Sequence, residues 1–181
     1  MSIKMRLYLS RMHQFDSNVC VAVNHTSQYR VIRDCFRLAS RLGDGVFWFC
    51  LMLGIAIVDG ANAATPVLHM ALAGLAGTLL YKWLKGKTLR PRPYEVRQDI
   101  WLTGAPLDKF SFPSGHTLHA VVFSVVALGY YPQLAVIVVP FTILVAFSRV
   151  VLGLHYPSDV LAGAIIGGLI AELSFVIVQS L

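Results

Sequence analysis

The sequence predicts an all-α fold, a multi-pass membrane bundle of about five transmembrane helices, and its composition, its apolar runs and its small-residue spacing point the same way. Of 181 residues, 56% are hydrophobic and 13% are charged. That leaves too little polar surface to wrap a soluble core, but it suits helices that face lipid directly. Five apolar segments follow one another, at 46–58, 63–84, 115–131, 134–152 and 158–178. Small residues recur four apart in the second and fifth, Ala73 with Gly77, Gly163 with Gly167 and Ala164 with Gly168. Such spacing lets helix backbones approach closely and predicts that these two spans pack at the centre.

Residues 1–42 precede the spans and read as a separate interfacial unit, with 43–181 as the membrane-embedded core. Val31, Ile32, Cys35, Phe36, Leu38, Ala39 and Leu42 recur at helical spacing opposite Arg30, Arg33, Arg37 and Arg41. This pattern predicts an amphipathic helix lying in the membrane interface. The turn Gly43-Asp44-Gly45 is expected to end it. Lys4, Arg6 and Arg11 are followed by a polar stretch, so no cleaved signal peptide is expected.

The first span, 46–58, is short against the ~20 residues of a spanning helix and must borrow flanking residues, thin the bilayer or lie partly within protein. The other four are long enough to cross. Pro140 removes one backbone hydrogen bond from the fourth and should bend it. Gly153 should end that helix, and Pro157 suits the first turn of the fifth. Cys20, Cys35 and Cys50 form no CxxC pair and are expected as buried free thiols. The net charge of +6 lies in clusters between apolar segments rather than in a basic arm. Its partners are therefore expected to be anionic headgroups or phosphates, with no role for nucleic acid.

If the spans alternate in direction, the end of the second, the start of the third, the end of the fourth and the start of the fifth share one membrane face. Three polar blocks gather there. Lys85 to Pro93 contains Arg90, Arg92 and two prolines that stiffen a cationic loop. Alone, it would serve equally well as a set of juxtamembrane charges. Pro113-Ser114-Gly115-His116 opens an apolar helix; Ser114 can cap it, and the free N–H groups of its first turn can seat an anion. A plain cap would explain Ser114, but it has no need of His116, which can donate a proton to a leaving oxygen. The third block runs from Ser148 and Arg149 to His155 and Asp159. Asp159 is placed to hold one ring nitrogen of His155 and leave the other free to attack phosphorus, although a purely structural His–Asp pair would have the same spacing.

Lys85 followed by Arg92-Pro93, then Pro113-Ser114-Gly115-His116, then Ser148-Arg149, His155 and Asp159 resemble, in order and spacing, the three-part signature of the type 2 phosphatidic acid phosphatase family. The motifs run from Lys85 to Asp159, and residues 1 to about 40 fall outside the likeness. The resemblance implies a helical core shared with vanadium haloperoxidases, catalysis without metal or other cofactor, and a phosphohistidine intermediate. It also implies roles for individual residues. Lys85, Arg92, Ser114, Gly115 and Arg149 would bind the phosphoryl oxygens, with Ser148 beside them; His155 would be the nucleophile, Asp159 its orienting carboxylate and His116 the proton donor.

The substrate class implied is a lipid phosphomonoester or diphosphate, such as undecaprenyl diphosphate, phosphatidylglycerophosphate, phosphatidic acid or a lipid A phosphate. A phosphotransferase would use the same residues. A non-catalytic lipid-binding protein would need the cations but not the histidines. His119, one turn beyond His116, raises the idea of zinc, but no acidic or thiol partner is evident nearby. His69 is expected to be hydrogen-bonded between helices, and Glu172 deep in the fifth span is an unusual charge. The loop from Tyr94 to Phe112, with Ile100, Trp101, Leu102, Asp99 and Asp108, is placed either to touch the substrate or to anchor at the interface. The resemblance to bacterial members implies the inner membrane with a periplasmic site. Against that stands the positive-inside rule, because Arg30, Arg33, Arg37 and Arg41 share the face of the site if the N-terminal segment does not cross.

Overall fold

The computed structural model describes residues 3–180, with side chains from residue 11 onward except Met12. The side chains of Lys4 and Arg6 therefore lie outside the described set. The described residues are helical, without strands. Helices α1 (Ile3–Asn24) and α2 (Arg30–Arg41) come first, joined through a single 3-10 turn, His25–Gln28. On α2 the Arg30, Arg37 and Arg41 side chains are exposed, while Ala39 and Ser40 turn inward. The N-terminal pair is tied to the rest of the chain by side chains. Asn24 Nδ2 donates to the carbonyls of Trp101 and Val151, 2.9 Å each, and Asn24 Oδ1 accepts from Trp101 N at 2.7 Å.

The expected break at Gly43-Asp44-Gly45 is present: α2 ends at Arg41, and Gly45 departs from helical backbone geometry. Residues 42–46 form one wide π-type turn that carries α2 into α3 (Phe47–Asp59). Gly45 supplies its φ of 140°, a conformation that side-chain-bearing residues rarely adopt, and there the chain leaves helical geometry before α3 begins. Helix α3 has 13 residues, as short as the sequence indicated.

Next come α4 (Ala64–Thr88), the single turn α5 (Pro93–Val96), α6 (Gly115–Tyr130), α7 (Ala135–Val151) and α8 (Pro157–Gln179). Stretches long and apolar enough to cross a membrane occur within Arg30–Val96, Pro132–Val151 and Pro157–Gln179, and Gly115–Tyr130 is a shorter apolar helix. Leu161, Ile165, Leu169 and Leu173 leave an apolar stripe exposed along α8, as a lipid-facing helix requires, and Glu172 is exposed on the same helix. Helix α7 continues through Pro140, whose side chain is exposed.

The centre belongs to α6 rather than to α4 and α8. Leu118, Ala120, Val122, Val126 and Ala127 of α6 are fully buried. A Cβ added at Gly163 or Gly167 of α8 would meet the carbonyl oxygen of Ser114 or Leu118 at 2.5 Å, and one at Gly77 of α4 would meet the Leu118 side chain at 2.8 Å. The small residues thus make room for α6, which both helices clasp. On the half of the bundle away from Lys85 and His155, His69 is hydrogen-bonded to Tyr130 Oη (2.9 Å) and Ser174 Oγ (2.7 Å), joining α4, α6 and α8. The expectation of buried thiols holds for Cys20 alone. Cys35 and Cys50 are exposed.

Candidate active site

Four chain segments deliver the polar residues to one end of the bundle. Helix α4 contributes Lys85 from its last turn and stops at Leu89, which takes a left-handed φ of 48°. Lys85 Nζ donates to Asp108 Oδ1 (2.9 Å) and to the carbonyl of Phe110 (2.6 Å). The extended strip after α4 brings in Arg92, which is 1% exposed. Its Nη2 donates to the same Asp108 oxygen at 2.7 Å, its Nη1 donates to the Leu154 carbonyl at 2.7 Å, and Nη1 lies 3.5 Å from His155 Nε2. Burial alone would raise the Asp108 carboxyl, but the Lys85 ammonium and the Arg92 guanidinium outweigh it and hold the group below the usual range.

Ser114 caps α6. Its Oγ accepts from Thr117 N at 3.5 Å, and its own N–H donates to the Asp159 carbonyl at 3.0 Å, fastening the start of α6 to the start of α8. Gly115 faces the Tyr81 ring, which an added Cβ would meet at 3.4 Å. His116 Nε2–H donates to Asp44 Oδ1, from the kinked turn between α2 and α3. His119 points elsewhere, with Nδ1 at 2.8 Å from the Gly115 carbonyl and Nε2 at 2.9 Å from Thr78 Oγ1. Among the described residues no group of three or more His, Cys, Asp or Glu side chains is placed to hold a metal.

At the end of α7, Ser148 Oγ turns back to the Val145 carbonyl at 2.6 Å. Arg149 is 1% exposed, its Nη1 donates to Ser40 Oγ of α2, and its Nε has no hydrogen-bond partner. It makes no ion pair among the described residues, an unusual state for a buried guanidinium. The chain then turns sharply at Gly153, where φ is 75° and an added Cβ would meet the Trp101 carbonyl at 2.7 Å. This turn presents His155, whose backbone N–H is held by the Arg149 carbonyl at 3.0 Å.

Burial, assisted by the nearby Arg149 and Arg92 charges, pushes the His155 imidazole down to about 3. It is therefore neutral across the physiological range. His155 Nδ1 lies 3.8 Å from Asp159 Oδ2, beyond hydrogen-bond length, and has no partner in this state. The fully buried Asp159 carboxylate is held by other groups. Its Oδ2 accepts from Tyr156 N (2.9 Å) and from Ser111 Oγ, and its Oδ1 accepts from Arg90 Nη1 (2.6 Å).

A cavity of about 390 Å³ opens onto these groups. Arg92, Asp108, Gly115, His116, Arg149 and His155 line its polar end, and Phe49, Met52, Leu75 and Phe123 line its apolar wall. Lys85, Ser114, Ser148 and Asp159 stand behind that lining and act on it through Asp108, the α6 backbone, α7 and the His155 turn. The result is a buried, cationic recess with two imidazoles, His155 beside Arg92 and His116 bonded to Asp44, continuous with a greasy slot between α3, α4 and α6.

Residues 63–181 match the sequence model of the PAP2 superfamily. The chain belongs to the PAP2 superfamily. It is 29% identical over 130 residues to the undecaprenyl-diphosphatase BcrC of Bacillus subtilis, covering 72% of this chain and 67% of that one. It is 24% identical over 165 residues to a lipid A 1-phosphatase of Rhizobium etli, covering 81% and 71%. Among solved structures, a transmembrane PAP2-type phosphatidylglycerolphosphate phosphatase from Bacillus subtilis superposes with a TM-score of 0.74 at 26% identity, covering 94% of this chain and 88% of that one. LpxE of Aquifex aeolicus gives a TM-score of 0.75 at 28% identity, with 87% and 93% covered.

The PAP2 match starts at α4 and so omits the segments that supply Asp16, Ser40 and Asp44. Ser40, Asp44, Arg90 and Asp108 contact motif side chains, Asp16 contacts Arg90 and Ser158, and none of the five was assigned a site role from the sequence. Arg90 had a signal in the cationic block, and Asp108 in the loop expected to touch the substrate or anchor at the interface. Asp44 was visible only as part of a glycine turn.

Proposed function

We propose that this PAP2 protein is a membrane lipid phosphatase that hydrolyses a phosphomonoester or diphosphate of a lipid through a phosphohistidine at His155. One observation supports this above the others: Arg149 is buried without an ion pair at the same recess as a neutral His155, whose Nε2 adjoins Arg92. A buried cation left without a carboxylate suits an anionic group brought by a ligand, and a neutral imidazole beside it suits attack on phosphorus.

In the reaction, Arg92 and Arg149 hold the phosphoryl oxygens and offset the charge that builds on them. Nε2 of His155 forms the N–P bond as the bond from phosphorus to the leaving oxygen breaks. His116, in its imidazolium form with Nε2–H on Asp44, gives its Nδ1 proton to that oxygen. Water then attacks phosphorus, His116 takes the proton from water, and the N–P bond breaks to release inorganic phosphate. The apolar wall of the cavity accommodates the lipid chain next to the headgroup.

Purified protein in detergent is expected to release inorganic phosphate from at least one of undecaprenyl diphosphate, phosphatidylglycerophosphate, phosphatidic acid and a lipid A phosphate, with vanadate inhibiting and EDTA without effect. No release from any of the four would contradict the reading. Phosphate appearing on a lipid acceptor instead of in solution would mark a transferase.

The neutral state of His155 fixes the acid side of the pH profile. The group titrates low in the folded protein, so protonation removes the nucleophile only at acid pH. The acidic limb of kcat/KM should lie below about pH 5 once substrate ionisation near pH 6 is divided out. A limb at the ordinary histidine value, about 6.5, would show that His155 is not held neutral by burial.

We place the protein in the bacterial inner membrane with the site on the periplasmic side, where recycled carrier lipids and outer-leaflet phospholipids present phosphate. Gln98 is exposed in the loop over the site and outside the recess. A Gln98→Cys variant lacking Cys20, Cys35 and Cys50 should react with an impermeant maleimide in intact spheroplasts. Reaction only after permeabilisation would give a cytoplasmic site, as the positive-inside rule reads the α2 arginines.

A further inference from the structure

We propose that Asp16 of α1 and Arg90 are positioning residues for the nucleophile, acting through Asp159; the role rests on the reading of His155 given above. Arg90 bridges two carboxylates with its fork. Its Nη1 donates to Asp159 Oδ1 at 2.6 Å and to Ser158 Oγ at 2.8 Å, and its Nη2 donates to Asp16 Oδ2 at 2.7 Å. The guanidinium lies over the Tyr156 ring, 4.2 Å from its centroid, so its plane is fixed as well. Asp16 completes the arrangement by accepting from Ser158 N at 2.9 Å and from Ser158 Oγ.

Ser158 and Asp159 lie in the first turn of α8. The N-terminus of that helix thus receives two carboxylates, one its own and one from α1, which its free N–H groups and dipole favour. One guanidinium offsets both. Asp16 and Asp159 are 7% and 0% exposed, too buried for solvent to take the place of that cation. Arg90 also sets the Asp159 rotamer: with Oδ1 held by Arg90 and Oδ2 by Tyr156 N and Ser111, the Oδ2 edge is directed at His155 Nδ1, 3.8 Å away. Asp16 draws off part of the Arg90 charge, so that Asp159 keeps enough negative charge for the imidazole once His155 reacts and its ring gains positive character. Helix α1, outside the region matched to the family, becomes part of the catalytic apparatus.

Asp16→Asn removes the charge but keeps the side-chain shape and an oxygen for Ser158, and Arg90→Gln removes the bridge. Each is expected to lower kcat about tenfold, the scale on which groups that orient a reacting residue act, with KM and vanadate inhibition changed less than about twofold. In an Asp159→Asn background either change should cost less than about twofold further, because the path is already cut. Losses that multiply in the double variants, or a kcat equal to that of wild type, would overturn the proposal. An Asn18→Ala control on the exposed side of α1 should match wild type.

A readout without turnover keeps this separate from the phosphatase assignment. Carbethoxylation of His155 by diethyl pyrocarbonate, read by mass spectrometry against His25, should slow several-fold in Asp16→Asn and Arg90→Gln. Equal rates would refute the positioning role even in a chain that hydrolyses none of the lipids tested. Slowed rates in a chain without lipid turnover would leave the positioning role standing and remove the phosphatase reading.

Discussion

His155→Ala is expected to release phosphate from a lipid substrate at least about 10⁴-fold more slowly than wild type, the scale on which removal of a catalytic nucleophile acts. The side chain is the neutral ring nitrogen nearest Arg92, and its loss leaves water to attack phosphorus directly. The fold should survive. The turn around residue 155 is held by backbone bonds, from Leu154 N and His155 N to the Arg149 carbonyl, both 3.0 Å, and Gly153 supplies its left-handed φ. Nδ1 of His155 has no hydrogen-bond partner, so truncation strands no polar group at that atom. Arg92 and Arg149 remain, and binding of phosphate or vanadate should change far less than turnover. Phosphate release within about tenfold of wild type would show that another group attacks.

Asp159→Asn should lose on the order of 10³ to 10⁴ in kcat, by analogy with removing the carboxylate that orients a catalytic imidazole. The amide keeps an oxygen for Arg90 and keeps the volume of a fully buried side chain. It cannot, however, stabilise positive charge on His155 as phosphorus is attacked. Arg90 retains Asp16 as an ion-pair partner, which limits the damage to stability when the second carboxylate is lost. Retention of more than about a tenth of wild-type activity would make Asp159 a structural residue of the α8 terminus only.

The sequence displayed the membrane bundle because lipid-facing helices need only length and apolarity, and it displayed the shared polar face because four helix ends alternate in direction. The placement of α6 at the centre was not legible. Gly163 and Gly167 announce a close approach, but spacing within one helix does not say which backbone approaches. The recess was legible in its cations and imidazoles, which occur as compact blocks with Pro and Gly between them. Apart from Asp159, the carboxylates around it were not. Asp16, Asp44 and Asp108 each lie far in sequence from the groups they hold, at Arg90, His116 and the Lys85–Arg92 pair, and a lone aspartate has no periodicity to mark it. The break at 42–46 was legible, because a glycine pair around an aspartate reads as a stop, and Gly45 there takes a φ outside the helical range.

The central claim is that His155 carries the phosphoryl group, and direct capture of that intermediate tests it best. Wild-type protein mixed briefly with a ³²P-labelled lipid substrate and quenched should hold label that is stable in base and released in acid, and mass spectrometry should place it on the peptide containing His155. His155→Ala should hold none. Label that persists in that variant, or that resists acid and maps to another residue, would contradict the assignment of His155 as the nucleophile.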